Sequence, residues 1–239
     1  MCSSDLCYLV SMSDTPSLVM RLLRALIATA VEAALLAWGL GGLDVLGHSP
    51  RALALLVVWF TTGAVLTVTR PVRGQEVARA EKDAAIMLVL ALVPLAIPGV
   101  AAWGGRRAWW PLPFADAIGW SGVALSALGL ALRVAAMRQL GARFSPLVAL
   151  QRDHTLETTG WYARVRHPGY TGALLASLGA AVTFGSALAL PLVAIMLLAQ
   201  SARIRREEAL LAERFGEAWR AYATRTGALV PRLGGAPRP

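Results

Sequence analysis

Cysteine, charge and sorting signals are what this sequence has least of. Its two cysteines among 239 residues, Cys2 and Cys7, lie near the start, away from any histidine or carboxylate cluster. That excludes a disulfide framework and leaves no ligand set for a metal, so no metal is expected. Charged residues make up only 15% of the chain, against 56% apolar residues and a mean hydropathy of +0.57, a balance foreign to an ordinary soluble domain. The opening, Met1 to Ser11, has no basic n-region and no small-residue cleavage site, so it does not read as a secretory signal. Met12, followed by Ser13-Asp14-Thr15-Pro16, reads as a second candidate start. There is no internal repeat, and the one low-complexity stretch is the tail Gly234-Gly235-Ala236-Pro237-Arg238-Pro239, expected to be disordered.

What the chain does have is long apolar runs. They lie at about Leu18 to Leu40, Ala52 to Thr69, Ala84 to Trp103, Phe114 to Met137, Tyr170 to Phe184 and Ala187 to Ala202. The first four are long enough to cross a bilayer core, which needs roughly 20 residues. The last two are shorter, separated by Gly185-Ser186, and read either as a tight helical hairpin or as one interrupted helix. Charge decides between them. With six spans and a cytoplasmic N-terminus, 20 of the 23 basic residues fall inside and only Arg51, Arg106 and Arg107 fall outside, as the positive-inside rule demands. A single span would carry the arginine-rich C-terminus outward. The hairpin is therefore favoured, and it returns Glu207 to the membrane face of Arg166 and His167. The net charge of +9 then has a cause, because excess arginine at the inner face attracts anionic membrane lipid. With no soluble basic domain and no base-stacking motif, nucleic acid is excluded as a partner.

Two polar segments sit among these runs. Gln139 to Pro168 is the longest polar connection, too polar for lipid and too short for a domain; such backbone is tolerated at a membrane where it packs on protein or lines a watery cavity. In it, Arg166-His167-Pro168 opens the fifth run. The plain reading is a snorkelling arginine and a helix-starting proline. The functional reading is that the helix start, with Arg166 and His167, holds the polar groups of a ligand. Gly169, Gly172 and Gly179 permit close approach of a helix or a ligand. The second segment, Arg203-Ile204-Arg205-Arg206-Glu207-Glu208, places Arg203 and Glu207 four apart on one helix face. Surface ion pairs of that kind contribute little, yet two adjacent acids at an arginine-rich helix mouth suit a bound cationic or polar group. Glu213, Glu217 and Arg220 read as an ordinary solvated face, and Phe215, Trp219 and Tyr222 suit an interfacial helix. Glu32, inside the first run, reads as helix pairing or a polar lining ahead of catalysis.

From Gly141 to Arg232 the order of motifs is Gly-x-x-Phe-Ser, Gln-x-x-His-x-Leu, Thr-Gly-x-Tyr-x-x-x-Arg-His-Pro-x-Tyr-x-Gly, Arg-x-x-x-Glu-Glu and Phe-Gly-x-x-Trp-x-x-Tyr. This resembles the isoprenylcysteine carboxyl methyltransferase family of membrane enzymes that use S-adenosylmethionine. Trp161 departs from it, since members commonly carry proline there. Sterol reductases carry a similar Arg-His-Pro-Asn-Tyr, and Gly169 in place of that asparagine leans toward the methyltransferases. The resemblance implies that Gln151, His154, Tyr162, Arg166, His167 and Tyr170 surround S-adenosylmethionine, with Glu208 also near it, and that Arg203 and Glu207 act where the methyl acceptor meets it.

The expectation is an all-α polytopic membrane protein of about six transmembrane helices. It includes a C-terminal helical hairpin, a cytoplasmic cofactor-binding loop and an interfacial C-terminal helix. Residues 1–17 form an N-terminal segment, non-native or disordered; 18–137 a four-helix membrane scaffold; 138–232 the catalytic region; and 233–239 a disordered tail. The expected activity is methyl transfer to a lipophilic small-molecule or lipid acceptor, foremost a carboxylate, at the cytoplasmic face of a bacterial inner membrane. A phospholipid or thiol methyltransferase, a nicotinamide-dependent reductase and a non-catalytic membrane scaffold are the alternatives.

Overall fold

The computed structural model describes residues 18–68, 76–79, 84–141, 149–151 and 155–232. Seven α-helices carry the described fold: α1 Leu18–Leu40, α2 Leu43–Gly47, α3 Pro50–Val68, α4 Ala84–Arg106, α5 Ala115–Leu140, α6 Pro168–Val182 and α7 Leu190–Arg225. Leu22–Leu40, Ala84–Arg106 and Ala115–Leu140 are each long and apolar enough to cross a bilayer, while Pro50–Leu66 is apolar but shorter. The chain is thus an integral membrane protein by its helices. Each apolar run became a helix because leucine, alanine and valine both favour the helix and satisfy every backbone group within it.

Three features depart from the expected layout. A short antiparallel ribbon pairs β1, Glu76–Arg79, with β2, Ala149–Gln151, tying the connection after α3 to the one after α5. The short α2 lies between the first two apolar runs, where the sequence suggests no element. The sixth apolar run does not stop at Ala202 but continues through the Arg203–Glu208 segment to Arg225, broken only at Gly216, whose φ of 52° and ψ of −120° are not helical. The residues after Ala202 are strong helix formers with no proline among them, so nothing ends the helix before that glycine.

Packing is closest between α5 and α6, along a seam of small residues. Gly122 and Gly129 on α5 meet Gly179 and Gly172 on α6; a Cβ at Gly129 would overlap the Gly172 carbonyl, and one at Gly179 would overlap that of Gly122. Each pair is spaced seven apart, two helical turns, so the contacts recur on one face. Helices α6 and α7 run antiparallel, since contacts step from Ser177–Met196 through Tyr170–Arg203 to His167–Glu208. Residues 183–189 turn the chain between them, with Ala187 N–H donating to Trp110 O at 2.9 Å and Leu112 N–H donating to Gly185 O at 2.9 Å. Ile97, Ala101, Ala180, Ala181, Ala189 and Val193 form the core where α4, α6 and α7 meet.

Candidate active site

The site is assembled where the first turn of α6 faces the middle of α7. Pro168 occupies the first helical position, where its missing N–H costs nothing, and His167 is the cap residue. Just upstream, the 3₁₀ turn Gly160–Ala163 presents Tyr162 inward. That turn is held by Gln139 at the end of α5, whose amide nitrogen donates to Thr159 O at 2.8 Å and whose amide oxygen accepts the Trp161 N–H at 3.1 Å. The C-terminal strand-like segment completes the wall. Arg166 N–H donates to Gly227 O at 2.8 Å and His167 N–H to Ala228 O at 3.0 Å.

The two adjacent acids of α7 divide between two clusters. Glu208 accepts from Arg166 Nε at 2.8 Å and from His167 Nε2 at 3.1 Å. Burial alone would raise its carboxyl, but those two hydrogen bonds and charges outweigh it and hold the group at about 2. An ionised carboxylate only accepts, so Nε2 of His167 carries a hydrogen. Arg166 also donates from Nη1 to the carbonyls of Ala223, at 3.1 Å, and Thr226, and lies 5.9 Å from the Trp219 ring centre. It therefore satisfies carbonyls left over at the end of α7 while bracing Glu208. Tyr222 donates to the Tyr162 carbonyl at 2.7 Å, and burial pushes its hydroxyl up to about 12.

Glu207 belongs to the second cluster. Tyr170 donates to Glu207 Oε2 at 3.1 Å and accepts from Arg203 Nε. The Arg203 guanidinium lies 6.0 Å from the Tyr170 ring centre, with Nη1 against Met87 Sδ, and the residue is 8% exposed. His167 Nδ1 approaches Glu207 Oε1 only to 4.0 Å, so the histidine is the seam between the clusters. The exposed Glu217–Arg220 pair lies outside both.

Both clusters open on one cavity of about 520 Å3, within the usual size of a small-molecule site. Its polar end is lined by Glu157, Tyr162, Arg166, His167, Trp219 and Tyr222; its apolar end reaches Trp59, Leu90, Pro94, Leu130 and Met196 on the membrane helices. The structure thus brings together Tyr162, Arg166, His167, Tyr170, Arg203, Glu207 and Glu208. Gln151 lies in β2 with its side chain outside the described residues, as is all of His154. Gly172 and Gly179 pack against α5, whereas Gly169 has open space at its α carbon and lines the cavity.

Sequence reasoning missed three cavity-related residues. Arg133 lines the cavity and donates to Gly169 O at 3.0 Å; a lone arginine inside the fourth apolar run was its signal. Gln200 is three residues before Arg203 and seven before Glu207, hence on the same face, and it lines the cavity too. Gln139 holds the 3₁₀ turn without lining the cavity, and nothing in its local sequence announces that.

The chain is similar in sequence to known proteins over this stretch. The sequence model of the isoprenylcysteine carboxyl methyltransferase (ICMT) family matches residues 122–213, from the small-residue seam of α5 through both acids of α7. A fission-yeast (Schizosaccharomyces pombe) protein-S-isoprenylcysteine O-methyltransferase is 38% identical over 109 residues, 44% of this chain and 46% of the relative. Arabidopsis thaliana protein-S-isoprenylcysteine O-methyltransferase B is 34% identical over 133 residues, 54% of this chain and 63% of the relative. The A form from the same plant is 30% identical over 155 residues, 63% of this chain and 74% of the relative. The chain thus spans less than two thirds of the first two relatives and nearly three quarters of the third. On that coverage, and on the motifs it contains, the chain belongs to the isoprenylcysteine carboxyl methyltransferase family.

Proposed function

We propose that this protein transfers a methyl group from S-adenosylmethionine to a lipophilic acceptor, foremost a carboxylate. The observation that carries the reading is that Arg166 and His167, both bonded to Glu208, and Tyr170, Arg203 and Glu207 border one cavity, polar at one end and apolar at the other. The polar end suits a sulfonium nucleoside: carboxylates and aromatic rings favour a cation, and Glu157, Tyr162 and His167 offer both donors and acceptors for ribose and base. In this reading Tyr162, Arg166, His167, Tyr170 and Glu208 hold the cofactor, with Gln151 and His154 from the connecting loop. When bound, S-adenosylmethionine supplies a methyl group activated by positive sulfur.

The remaining work falls to the protein. Arg203 turns its planar fork to the acceptor carboxylate, which is already ionised at neutral pH and needs orientation alone. Glu207 and Tyr170 hold that fork in place, and the apolar walls exclude water from the displacement. Residues 18–137 serve as scaffold and lateral entrance, and 138–232 as the catalytic region. Six spans, with α6 and the first part of α7 as a membrane hairpin and the rest of α7 at the interface, put the cavity mouth at the cytoplasmic face, in a bacterial inner membrane. Calorimetric titration of the purified protein tests the reading. S-adenosylhomocysteine should bind with a micromolar dissociation constant, about −8 kcal/mol, and binding of reduced nicotinamide dinucleotide phosphate in its place would overturn the assignment.

A further inference from the structure

Two polar side chains on the apolar half of the cavity lack partners. Gln200, 1% exposed, and Glu32, 7% exposed, both line it. Gln200 Oε1 and Glu32 Oε2 have no hydrogen-bond partner among the described residues. Buried polar atoms are satisfied in the great majority of cases, so two orphans lining one cavity mark missing ligand groups. Gln200 Oε1 is an acceptor that lacks a donor, while the buried Glu32 carboxyl can accept or, when protonated, donate, and a hydroxyl on a ligand suits either. Their surroundings are apolar: Ala91, Pro94, Leu130 and Met196 line the same region. The cavity's three arginines serve other partners, Arg166 on Glu208, Arg133 on Gly169 O and Arg203 on Tyr170. Gln200 stands three residues from Arg203 on the same helix face, about 4.5 Å along the axis. A donor there would sit a few bonds from the group that meets Arg203.

We propose that the apolar end of the cavity is a subsite for a hydrogen-bond donor on the body of the ligand, a hydroxyl or a primary amine, received by Gln200 or by Glu32. This rests on the proposed function only in taking the occupant to be a lipophilic acceptor. An unsubstituted hydrocarbon chain would fill the space and leave both oxygens unpaired, whereas a chain bearing a donor makes the bond and gains about tenfold in affinity for it. Glu32 comes from α1, outside the stretch 122–213 matched by the family, so the scaffold helix takes part in selecting the acceptor.

The test uses the full chain purified in detergent, with binding read by calorimetry. The ligands are dodecanoic acid, its derivatives with a hydroxyl moved from carbon 4 to carbon 12, and 12-aminododecanoic acid. At least one hydroxylated or amino chain should bind about tenfold more tightly than dodecanoic acid, and whether the hydroxyl or the amine is preferred identifies the donor. Glu32→Leu together with Gln200→Leu should erase the preference, leave S-adenosylhomocysteine affinity unchanged and leave thermal stability equal or higher, because unpaired buried polar atoms are removed. If that double variant does not fold, Gln200→Met alone, which keeps the side-chain length, should weaken the preference. Equal affinity across the wild-type series, or a preference that survives these substitutions, overturns the subsite. A flat series with S-adenosylhomocysteine bound removes this inference alone. A donor preference without S-adenosylhomocysteine binding removes the methyltransferase reading and keeps the subsite.

Discussion

At the residue scale, the division of two neighbouring acids governs what each substitution should do. Glu207 touches Tyr170, which in turn receives Arg203. Arg203→Lys keeps the charge and loses the planar fork, so on a carboxylate acceptor kcat/KM should fall about tenfold or more while S-adenosylhomocysteine affinity holds. On an amine or thiol acceptor Glu207→Gln should be the more harmful change, with activity recovering as pH rises and the acceptor deprotonates unaided. Rates of both variants from pH 6 to 9 separate the classes, and wild-type rates in both on every active acceptor would remove the pair from the mechanism. Glu208 predicts a different pH effect. Its folded carboxyl titrates at about 2 against an ordinary 4.5, so its contribution to stability is whole above about 4.5 and is lost as pH falls toward 2. Thermal unfolding in detergent should show that acid-side loss, and Glu208→Gln should flatten it.

At the element scale, glycines three residues apart on α6 have opposite roles. Gly172 lies against the backbone of α5, where a Cβ would overlap the Gly129 carbonyl, whereas a Cβ at Gly169 meets nothing within 4 Å. Gly172→Ala should therefore destabilise by about 1–3 kcal/mol through forced separation of the helices, and Gly169→Ala should leave folding intact. Equal melting temperatures for the two variants would contradict the seam. Gly216 is the other hinge of the architecture. Its φ of 52° and ψ of −120° belong to a region that side chains resist, and beyond it Trp219 and Tyr222 turn back to Arg166 and Tyr162. Gly216→Val should misplace both aromatics, weakening S-adenosylhomocysteine binding more than it lowers the melting temperature.

At the scale of the whole molecule, membrane and site are one arrangement. The proposed six-span layout puts 20 basic residues inside and 3 outside and so predicts both termini in the cytoplasm; a C-terminal reporter fusion should be active only there. A periplasmic signal would overturn that orientation. Outside that face, Arg51 donates to Ala115 O at 3.3 Å and Arg106 to Gly39 O at 3.1 Å, so two of the three outer arginines are tied to helix ends.

Local chemistry was legible in the order of residues. Apolar runs became helices because a segment that must satisfy its own backbone in lipid has few other choices, and the spacing of Arg203 and Glu207 put them on one face because a helix repeats every 3.6 residues. Pairing across the chain was not legible in that way. That Arg166 meets Glu208 rather than Glu207, that Tyr222 closes on the Tyr162 carbonyl, and that Gln139 grips the turn before Tyr162 depend on contacts between residues 22 to 60 positions apart. The helix that runs on to Arg225 shows the same limit, since only its packing brings the far end back to the start of α6. Glu32 and Gln200 are the clearest case: an intramembrane acid and a glutamine in an arginine-rich helix carry no shared sequence signal. Only the tertiary structure brings them to one cavity, because helix packing joins surfaces and not sequence neighbours.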